Sequence, residues 1–102
     1  MHIIFDIGGT KMRIATTKNG KKIDKIKIVP TPQDYNEGVE VFINTVKELT
    51  DGNKIKSLAG GICGTINHEK KKLGILPNLS KWSIKRLLKK LEKIFHAPVV
   101  ME

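Results

Sequence analysis

The spacing of hydrophobic residues changes at Pro30-Thr31-Pro32, and this change constrains the fold more than any other feature of the sequence. Before it, apolar residues alternate with polar ones, which is the period of a half-buried β-strand. After it, they recur every three or four residues, as in an amphipathic helix. Proline lacks a backbone N–H and restricts the preceding residue, so neither a central strand nor a helix continues through this segment. The chain must therefore combine a strand-rich start with later helices.

The first thirty residues predict three antiparallel strands, which are His2 to Ile7, Thr10 to Thr17 and Lys21 to Val29. Two glycines mark the turn after the first strand. Asn19-Gly20 predicts a type I′ turn after the second strand, because both residue types tolerate the positive φ that this turn needs. Ile26 and Ile28 share one face of the third strand, as period-two spacing requires. The chain thus opens with a three-stranded meander.

Two amphipathic helices and two further strands follow the meander. The first helix is predicted to begin at Tyr35 and to stop at Asp51-Gly52-Asn53, and the second to span Ile84 to Phe95. Strands are predicted at Ile55 to Cys63 and from Val99 to Met101. The resulting order, β-β-β-α-β-α-β, predicts an α/β fold with a mixed sheet and helices packed against it, because parallel neighbours need crossover connections. This order matches the ribonuclease H-like half-domain.

Length and composition exclude several classes of protein. We expect residues 1–102 to form a single domain, because a chain of 102 residues has enough material for only one small core. The longest apolar runs are four or five residues, far below the ~18 to 20 of a membrane span, and the N-terminus does not resemble a signal peptide. The single cysteine, Cys63, excludes an internal disulfide and a multi-cysteine zinc site. These features predict a cytoplasmic protein that does not enter a membrane.

Basic residues are concentrated in the second half of the chain. Residues 1–51 hold eight basic and seven acidic side chains, whereas residues 52–102 hold eleven basic and three acidic ones. Such a surplus attracts polyanions, including nucleic acid and phosphorylated ligands. Nucleic-acid modules usually place arginines or aromatics among their lysines, and this chain has only two arginines and five aromatics. The composition therefore argues against nucleic acid as the main partner.

The residues with the clearest chemistry lie at the turn after the first strand. This candidate phosphate loop consists of Asp6, Ile7, Gly8, Gly9, Thr10 and Lys11. Consecutive glycines let backbone N–H groups approach an anion, while Thr10 adds a hydroxyl and Lys11 a mobile cation. Asp6 at the strand end is suited to hold hydrated Mg²⁺ beside phosphate oxygens. A plain Gly-Gly hairpin without ligand is the alternative, since such turns are common.

Several motifs in their order resemble the ROK family of sugar kinases and sugar-responsive repressors. DIGGTK, PTP, GGICGTIN, GILPNLSKW and APVV follow one another between Ile3 and Glu102. The resemblance implies an actin-like ATPase half-domain, of the ribonuclease H-like class, that forms the N-terminal lobe of a ROK-type kinase. It also implies that Asp6 to Lys11 receive the terminal phosphates of ATP, with Asp6 holding Mg²⁺ through water.

The same resemblance places sugar contacts in the middle of the chain. Gly64 matches a glycine whose backbone lies beside the bound sugar, Thr65 follows it, and Asn78 falls in a segment that lines the sugar pocket. The alternative for Gly64 and Asn78 is that they are ordinary turn residues. The family pattern reads closer to GVPGPVD, so Cys63, Thr65 and Asn67 depart from it. The identity of the sugar therefore stays open.

Other parts of a ROK active site are expected outside this chain. In the family, the aspartate that accepts the proton of the sugar hydroxyl follows the last strand of this lobe, beyond Glu102. The zinc-binding cysteines and the adenosine pocket belong to the C-terminal lobe. We therefore expect no catalytic residue in this chain, no activity from it alone, and either a missing C-terminal lobe or self-association as its partner.

The leading function is the N-terminal lobe of an ATP-dependent, glucokinase-like hexose kinase. The alternative is a non-catalytic binding module, either a fragment of a sugar-responsive regulator or a basic nucleic-acid-binding domain. In the family, a repressor normally carries a helix-turn-helix ahead of the phosphate motif. The position of Asp6, six residues from the start, leads us to expect the kinase. Polyphosphate is an alternative donor to ATP, because the second half of the chain is strongly basic.

Overall fold

The computed structural model describes residues 1–62 and 84–101, which form five strands and two helices. The strands are β1 (His2–Ile7), β2 (Lys11–Thr17), β3 (Ile23–Pro30), β4 (Ser57–Ile62) and β5 (Val99–Met101). The helices are α1 (Tyr35–Thr50), between β3 and β4, and α2 (Ile84–Phe95), between β4 and β5. The predicted order of elements is confirmed. Neither helix is long and apolar enough to cross a membrane.

The five strands form one mixed sheet in the order β3-β2-β1-β4-β5. β2 is antiparallel to both β1 and β3, whereas β4 is parallel to both β1 and β5. Helix α1 connects β3 to β4, and α2 connects β4 to β5. Both connections join parallel strands and run in the same direction across the sheet. Because such crossovers are right-handed, both helices lie on the same face. The predicted ribonuclease H-like, actin-like ATPase fold is confirmed.

The hydrophobic core lies between the sheet and the two helices. Alternate residues of β1 and β2 are buried there, including Ile3, Phe5 and Ile14. The ring of Phe5 meets that of Phe42 on α1 edge to face, with centroids 5.2 Å apart and an interplanar angle of 86°. Leu87 and Leu91 bring α2 into the same cluster. The helices therefore cover this face over β1, β2 and β4, whereas Lys25 of β3 remains more than half exposed.

Helix α1 has the ends that its sequence predicts. Asp34 precedes the helix in an extended conformation, and its carboxylate accepts a hydrogen bond of 2.9 Å from the N–H of Glu37. This N-cap satisfies one of the amides that the first helical turn leaves unpaired. Asp51 ends the helix in the left-handed conformation, with its N–H donating to the carbonyl of Lys47. The predicted bounds of the helix are confirmed.

The opposite face of the sheet, called the open face below, carries exposed apolar side chains. The large ones are Ile4, Ile23, Ile26, Ile28 and Val100, and their exposed fractions range from 39% for Ile4 to 62% for Val100. The prediction that Ile26 and Ile28 share a face is confirmed, but it is the face away from the helices. No described element packs over these residues.

The connection between β2 and β3 differs from the predicted two-residue type I′ turn. Residues 18–22 form a five-residue loop, in which Gly20 alone has a positive φ, of 78°. The side-chain oxygen of Asn19 instead accepts hydrogen bonds from the N–H groups of Lys21 and Lys22. An asparagine that bonds the backbone two residues ahead forms an Asx turn and does not need the left-handed conformation. β3 consequently begins at Ile23, two residues later than predicted.

Candidate functional site

The candidate site lies at the edge of the sheet where the parallel strands end. β1, β4 and β5 all point toward this edge, here called the carboxyl edge. Ile7 at the end of β1 pairs with Ile62 at the end of β4, so the two strands finish side by side. In open α/β sheets, ligands bind in the crevice outside such strand ends. The fold therefore places the loop after β1 where a ligand site is expected.

Asp6 projects from β1 on the open face of the sheet. Its neighbours Phe5 and Ile7 are buried in the core, and strand residues alternate between faces, so Asp6 faces away from the helices. The side chain is exposed, and its carboxylate makes no hydrogen bond or ion pair with another described residue. The carboxylate is thus available to a ligand or hydrated cation.

The turn after β1 is closed by a short hydrogen bond. The N–H of Gly8 donates to the carbonyl of Lys11 at 2.8 Å. A Cβ on residue 8 would lie 3.0 Å from that carbonyl oxygen, which is tighter than ordinary van der Waals contact. Neither Gly8 nor Gly9 has a positive φ. Glycine at position 8 therefore favours the close approach of two backbone segments and does not serve an unusual backbone conformation.

Thr31, which follows β3, holds the same turn from the side. Its hydroxyl donates to the carbonyl of Gly8 at 2.9 Å, and its N–H donates to the carbonyl of Thr10 at 3.0 Å. Both bonds turn loop carbonyls toward Thr31. No pattern in the sequence points to this role of Thr31, because its hydroxyl bonds a residue 23 positions away. Thr31 thus fixes the candidate phosphate loop.

The side chains of Thr10 and Lys11 are exposed beside this fixed backbone. Met12 is fully buried on the helix side, so the alternation along β2 places Lys11 on the open face, as it does Asp6. Among the described residues, no three histidine, cysteine or acidic side chains cluster as a complete metal site. A lone carboxylate suits Mg²⁺, which usually takes one or two protein carboxylates and completes its shell with water and phosphate oxygens.

The N-termini of both helices lie at the same edge, on the helix side of the sheet. The guanidinium carbon of Arg86, in the first turn of α2, is 4.8 Å from the ring centroid of Tyr35, the first residue of α1. Burial raises the pKa of the Tyr35 hydroxyl above its usual 10.0, and the positive charge of Arg86 opposes this rise. Tyr35 is therefore neutral at physiological pH, and this pair joins the helix ends behind the site.

The predicted sugar contacts Gly64, Thr65 and Asn78 lie outside the described residues. β4, the last described strand before them, ends at Ile62 beside Ile7. Their roles stay predictions. The described structure brings together the residues of the candidate phosphate loop and adds Thr31 to them.

Two sequence comparisons identify proteins that this chain resembles. Residues 2–102 match the sequence profile of the ROK family. An N-acetyl-D-glucosamine kinase from Mannheimia succiniciproducens is 34% identical over 67 residues, which cover 64% of this chain and 22% of that protein.

Solved structures give the same result. A ROK family glucokinase from Streptomyces griseus, in complex with glucose and AMPPNP, superposes with a TM-score of 0.76 and 26% identity, covering 99% of this chain and 32% of that one. A ROK family transcriptional regulator, a homologue of the E. coli MLC protein, shares the fold with a TM-score of 0.74 at 15% identity, covering 98% of this chain and 26% of that one. This chain therefore spans about a third or less of these relatives. Because the family profile matches nearly the whole chain, and the topology is the predicted one, the chain belongs to the ROK family.

Proposed function

We propose that this chain is the N-terminal lobe of an ATP-dependent sugar kinase and that Asp6 to Lys11 bind the terminal phosphates of the donor. The observation that carries the proposal is the position of Asp6, exposed on the open face beside a turn that Gly8 and Thr31 hold in place. The similarity to a glucokinase crystallised with AMPPNP, over 99% of this chain, supports the same role.

The chemistry of the loop fits a metal-bound phosphate chain. Mg²⁺ bridges phosphate oxygens and neutralises charge that develops during phosphoryl transfer. Asp6 would hold its hydration shell, while Thr10 and Lys11 would donate to phosphate oxygens. Because phosphoryl transfer depends mainly on positioning, a loop fixed by backbone hydrogen bonds is well suited to this task.

Sugar binding and the general base complete the proposal. We assign the sugar contacts to Gly64, Thr65 and Asn78, and the acceptor to the hexose class, in line with the kinase relatives. The base that takes the proton of the sugar hydroxyl would belong to the remaining part of the protein. The isolated chain should therefore bind the donor without turning it over. It would act in the cytoplasm, where ATP and hexoses are present.

A regulatory role is the second candidate, because a ROK transcriptional regulator shares this fold with a TM-score of 0.74. A regulator of this kind senses a sugar and needs no phosphate donor. The two candidates therefore differ in whether the Asp6 loop binds Mg·ATP. Inorganic polyphosphate would satisfy the same loop chemistry as ATP and is tested in the same way.

An NMR titration of the 102-residue chain with Mg·ATP tests the proposal. We expect the amides of Gly8, Gly9 and Thr10 to shift first, with a Kd of about 1 mM, because one lobe supplies only part of the contacts. Asp6→Asn should weaken Mg²⁺-dependent binding roughly tenfold, which is about 1.4 kcal/mol. Asp24→Asn is the matched control, since Asp24 is an exposed carboxylate near the opposite edge of the sheet.

Two results would contradict the kinase assignment. Shifts confined to the lysines of α2 would show that ATP binds there as a general polyanion. Equal weakening by Asp6→Asn and Asp24→Asn would show that only net charge matters. A chain that responds to a hexose but never to Mg·ATP or Mg·polyphosphate would favour the regulator.

A further inference from the structure

We propose that Arg13 is a second contact for the phosphate chain of the donor, on the side of Asp6 away from β4. This inference rests on the proposed function, because it concerns the same site. The observation behind it is the strand register, which pairs Asp6 of β1 with Arg13 of β2. The sequence by itself points to no role for Arg13, because the pairing with Asp6 appears only in the sheet.

The two side chains share the open face of the sheet. Arg13 lies between Met12 and Ile14, both fully buried among the helices, so it projects to the opposite side. Asp6 projects to that side for the same reason. Directly opposed residues of an antiparallel pair have Cβ atoms roughly 4.5 to 5.5 Å apart. A ligand held at Asp6 is therefore within reach of the Arg13 guanidinium.

No other described residue engages Arg13. Its side chain is exposed, and it makes no hydrogen bond or ion pair with another described residue. Other lysines of the meander are placed elsewhere. Lys25 and Lys27 form ion pairs with Asp51 and Glu48 of the helix side. The cations that the described residues offer on the open face near the carboxyl edge are thus Lys11 and Arg13.

The charge balance at the site explains why a second cation is useful. The carboxylate of Asp6 attracts Mg²⁺ but repels phosphate oxygens that approach directly. Arg13 places a positive charge beside that carboxylate and offers a planar fork of N–H donors that matches two phosphate oxygens. Lys11 contributes only a point charge. Arg13 is thus suited to fix the orientation of the phosphate chain while Asp6 fixes the cation.

Binding of Mg·tripolyphosphate to the 102-residue chain tests this inference, because tripolyphosphate has phosphate contacts and no nucleoside. NMR titrations would compare wild type with Arg13→Gln, Arg13→Lys and the control Lys21→Gln in the loop at the far edge. We expect Arg13→Gln to raise the Kd about tenfold and Arg13→Lys to raise it less, because charge remains while the fork is lost. Arg13→Gln should also weaken the salt dependence, and Lys21→Gln should leave the Kd within twofold of wild type.

The possible outcomes separate the two proposals. If wild type shows shifts at Gly8 to Thr10 and Arg13→Gln binds like Lys21→Gln, the Arg13 contact is wrong and the proposed function stands. If Arg13→Gln loses affinity only when Mg²⁺ is present, Arg13 acts through Asp6 and the direct contact is overturned. If wild type shows no shifts in this loop, both proposals fail. Amide spectra that superpose away from residue 13 show that each variant is folded.

Discussion

Thr31 is the residue whose importance follows most directly from the structure. It joins the segment after β3 to the loop after β1, through a hydroxyl bond to the carbonyl of Gly8 and an N–H bond to the carbonyl of Thr10. These are tertiary contacts between parts of the chain that the sheet order separates by one strand. The Pro30-Thr31-Pro32 segment therefore does more than separate a strand from a helix, because it also supports the candidate site.

Replacing Thr31 with valine should lower the free energy of unfolding by about 1 kcal/mol. Valine keeps the shape of the side chain but removes the donor to Gly8, and a typical neutral hydrogen bond contributes about that much. Urea denaturation followed by circular dichroism measures the change. Thr10→Val is the control for stability, because the Thr10 hydroxyl makes no hydrogen bond with a described residue. Equal stability of the two variants would show that the Thr31 bond contributes nothing.

The role proposed for Asp6 follows from its neighbours in the sequence, whereas the hydrogen bonds of Thr31 are seen only in the structure. A carboxylate at a strand end followed by Gly-Gly-Thr-Lys has a chemistry that the sequence itself displays. The same holds for the N-cap Asp34, which precedes a helical period. Thr31 bonds a residue 23 positions earlier in the chain, and Arg13 is brought beside Asp6 only by the register of β1 and β2. The role of a residue that contacts distant parts of the chain can be recognised only in the structure.

At the scale of elements, β4 leaves no space for a side chain at Gly60. Gly60 pairs with Phe5, and a Cβ on residue 60 would lie 2.0 Å from the carbonyl oxygen of Phe5. The obstructing atom belongs to the backbone of β1, which cannot move without breaking the hydrogen bonds of the central strand pair. β4 therefore needs glycine at position 60 to pair closely with β1.

Gly60→Ala should destabilise the protein by about 2 to 3 kcal/mol, the upper part of the roughly 1 to 3 kcal/mol that overpacking typically costs. Gly20→Ala provides the comparison, because nothing lies within 4 Å of that position and only its φ of 78° is unfavourable. The left-handed conformation costs about 1 kcal/mol for alanine. Thermal and urea unfolding of both variants measure the difference. If Gly60→Ala is no worse than Gly20→Ala, the close approach to Phe5 is not real.

Elements with a strong period were predictable, and connections were less so. Helix α1 and strand β1 have the bounds that their sequences predict, because hydrophobic spacing and capping residues agree there. The loop at residues 18–22 was predicted as a two-residue turn, since Asn-Gly favours that turn. The Asn19 side chain instead accepts hydrogen bonds from two later amides, and these bonds form in place of the predicted turn. The Asn-Gly dipeptide alone does not show which of the two arrangements forms.

At the scale of the whole molecule, the open face is the feature that the described residues leave uncovered. The strand registers align Ile26, Ala15, Ile4, Ala59 and Val100 in one row across all five strands, and all of them except the buried Ala15 are exposed. Such a contiguous apolar surface is unusual on a monomeric protein and marks a contact region. The chain spans about a third of the length of the glucokinase it resembles. Under the proposed function, we expect the second lobe of the kinase to cover this face.

Two opposing forces act on the isolated 102-residue chain. Apolar surface on the open face favours association with a second copy, whereas the formal net charge of +9 keeps copies apart. The charge repulsion is screened by salt, and the Debye length falls from roughly 8 Å at 0.15 M to roughly 3 Å at 1 M. Self-association of the chain through the open face should therefore increase with salt, whereas any association that depends on attraction between charges should decrease.

Sedimentation of the isolated chain at high concentration tests this expectation. We expect reversible self-association that strengthens between about 0.15 M and about 1 M salt, because screening removes repulsion and leaves the apolar attraction. The double variant Ile26→Lys with Ile28→Lys should shift the chain toward monomer, since both side chains are more than half exposed on the open face. Asn44→Lys adds charge to the exposed surface of α1 instead and should reduce association much less. A chain that is monomeric at every salt concentration, or that responds equally to both variants, would show that the open face does not drive association.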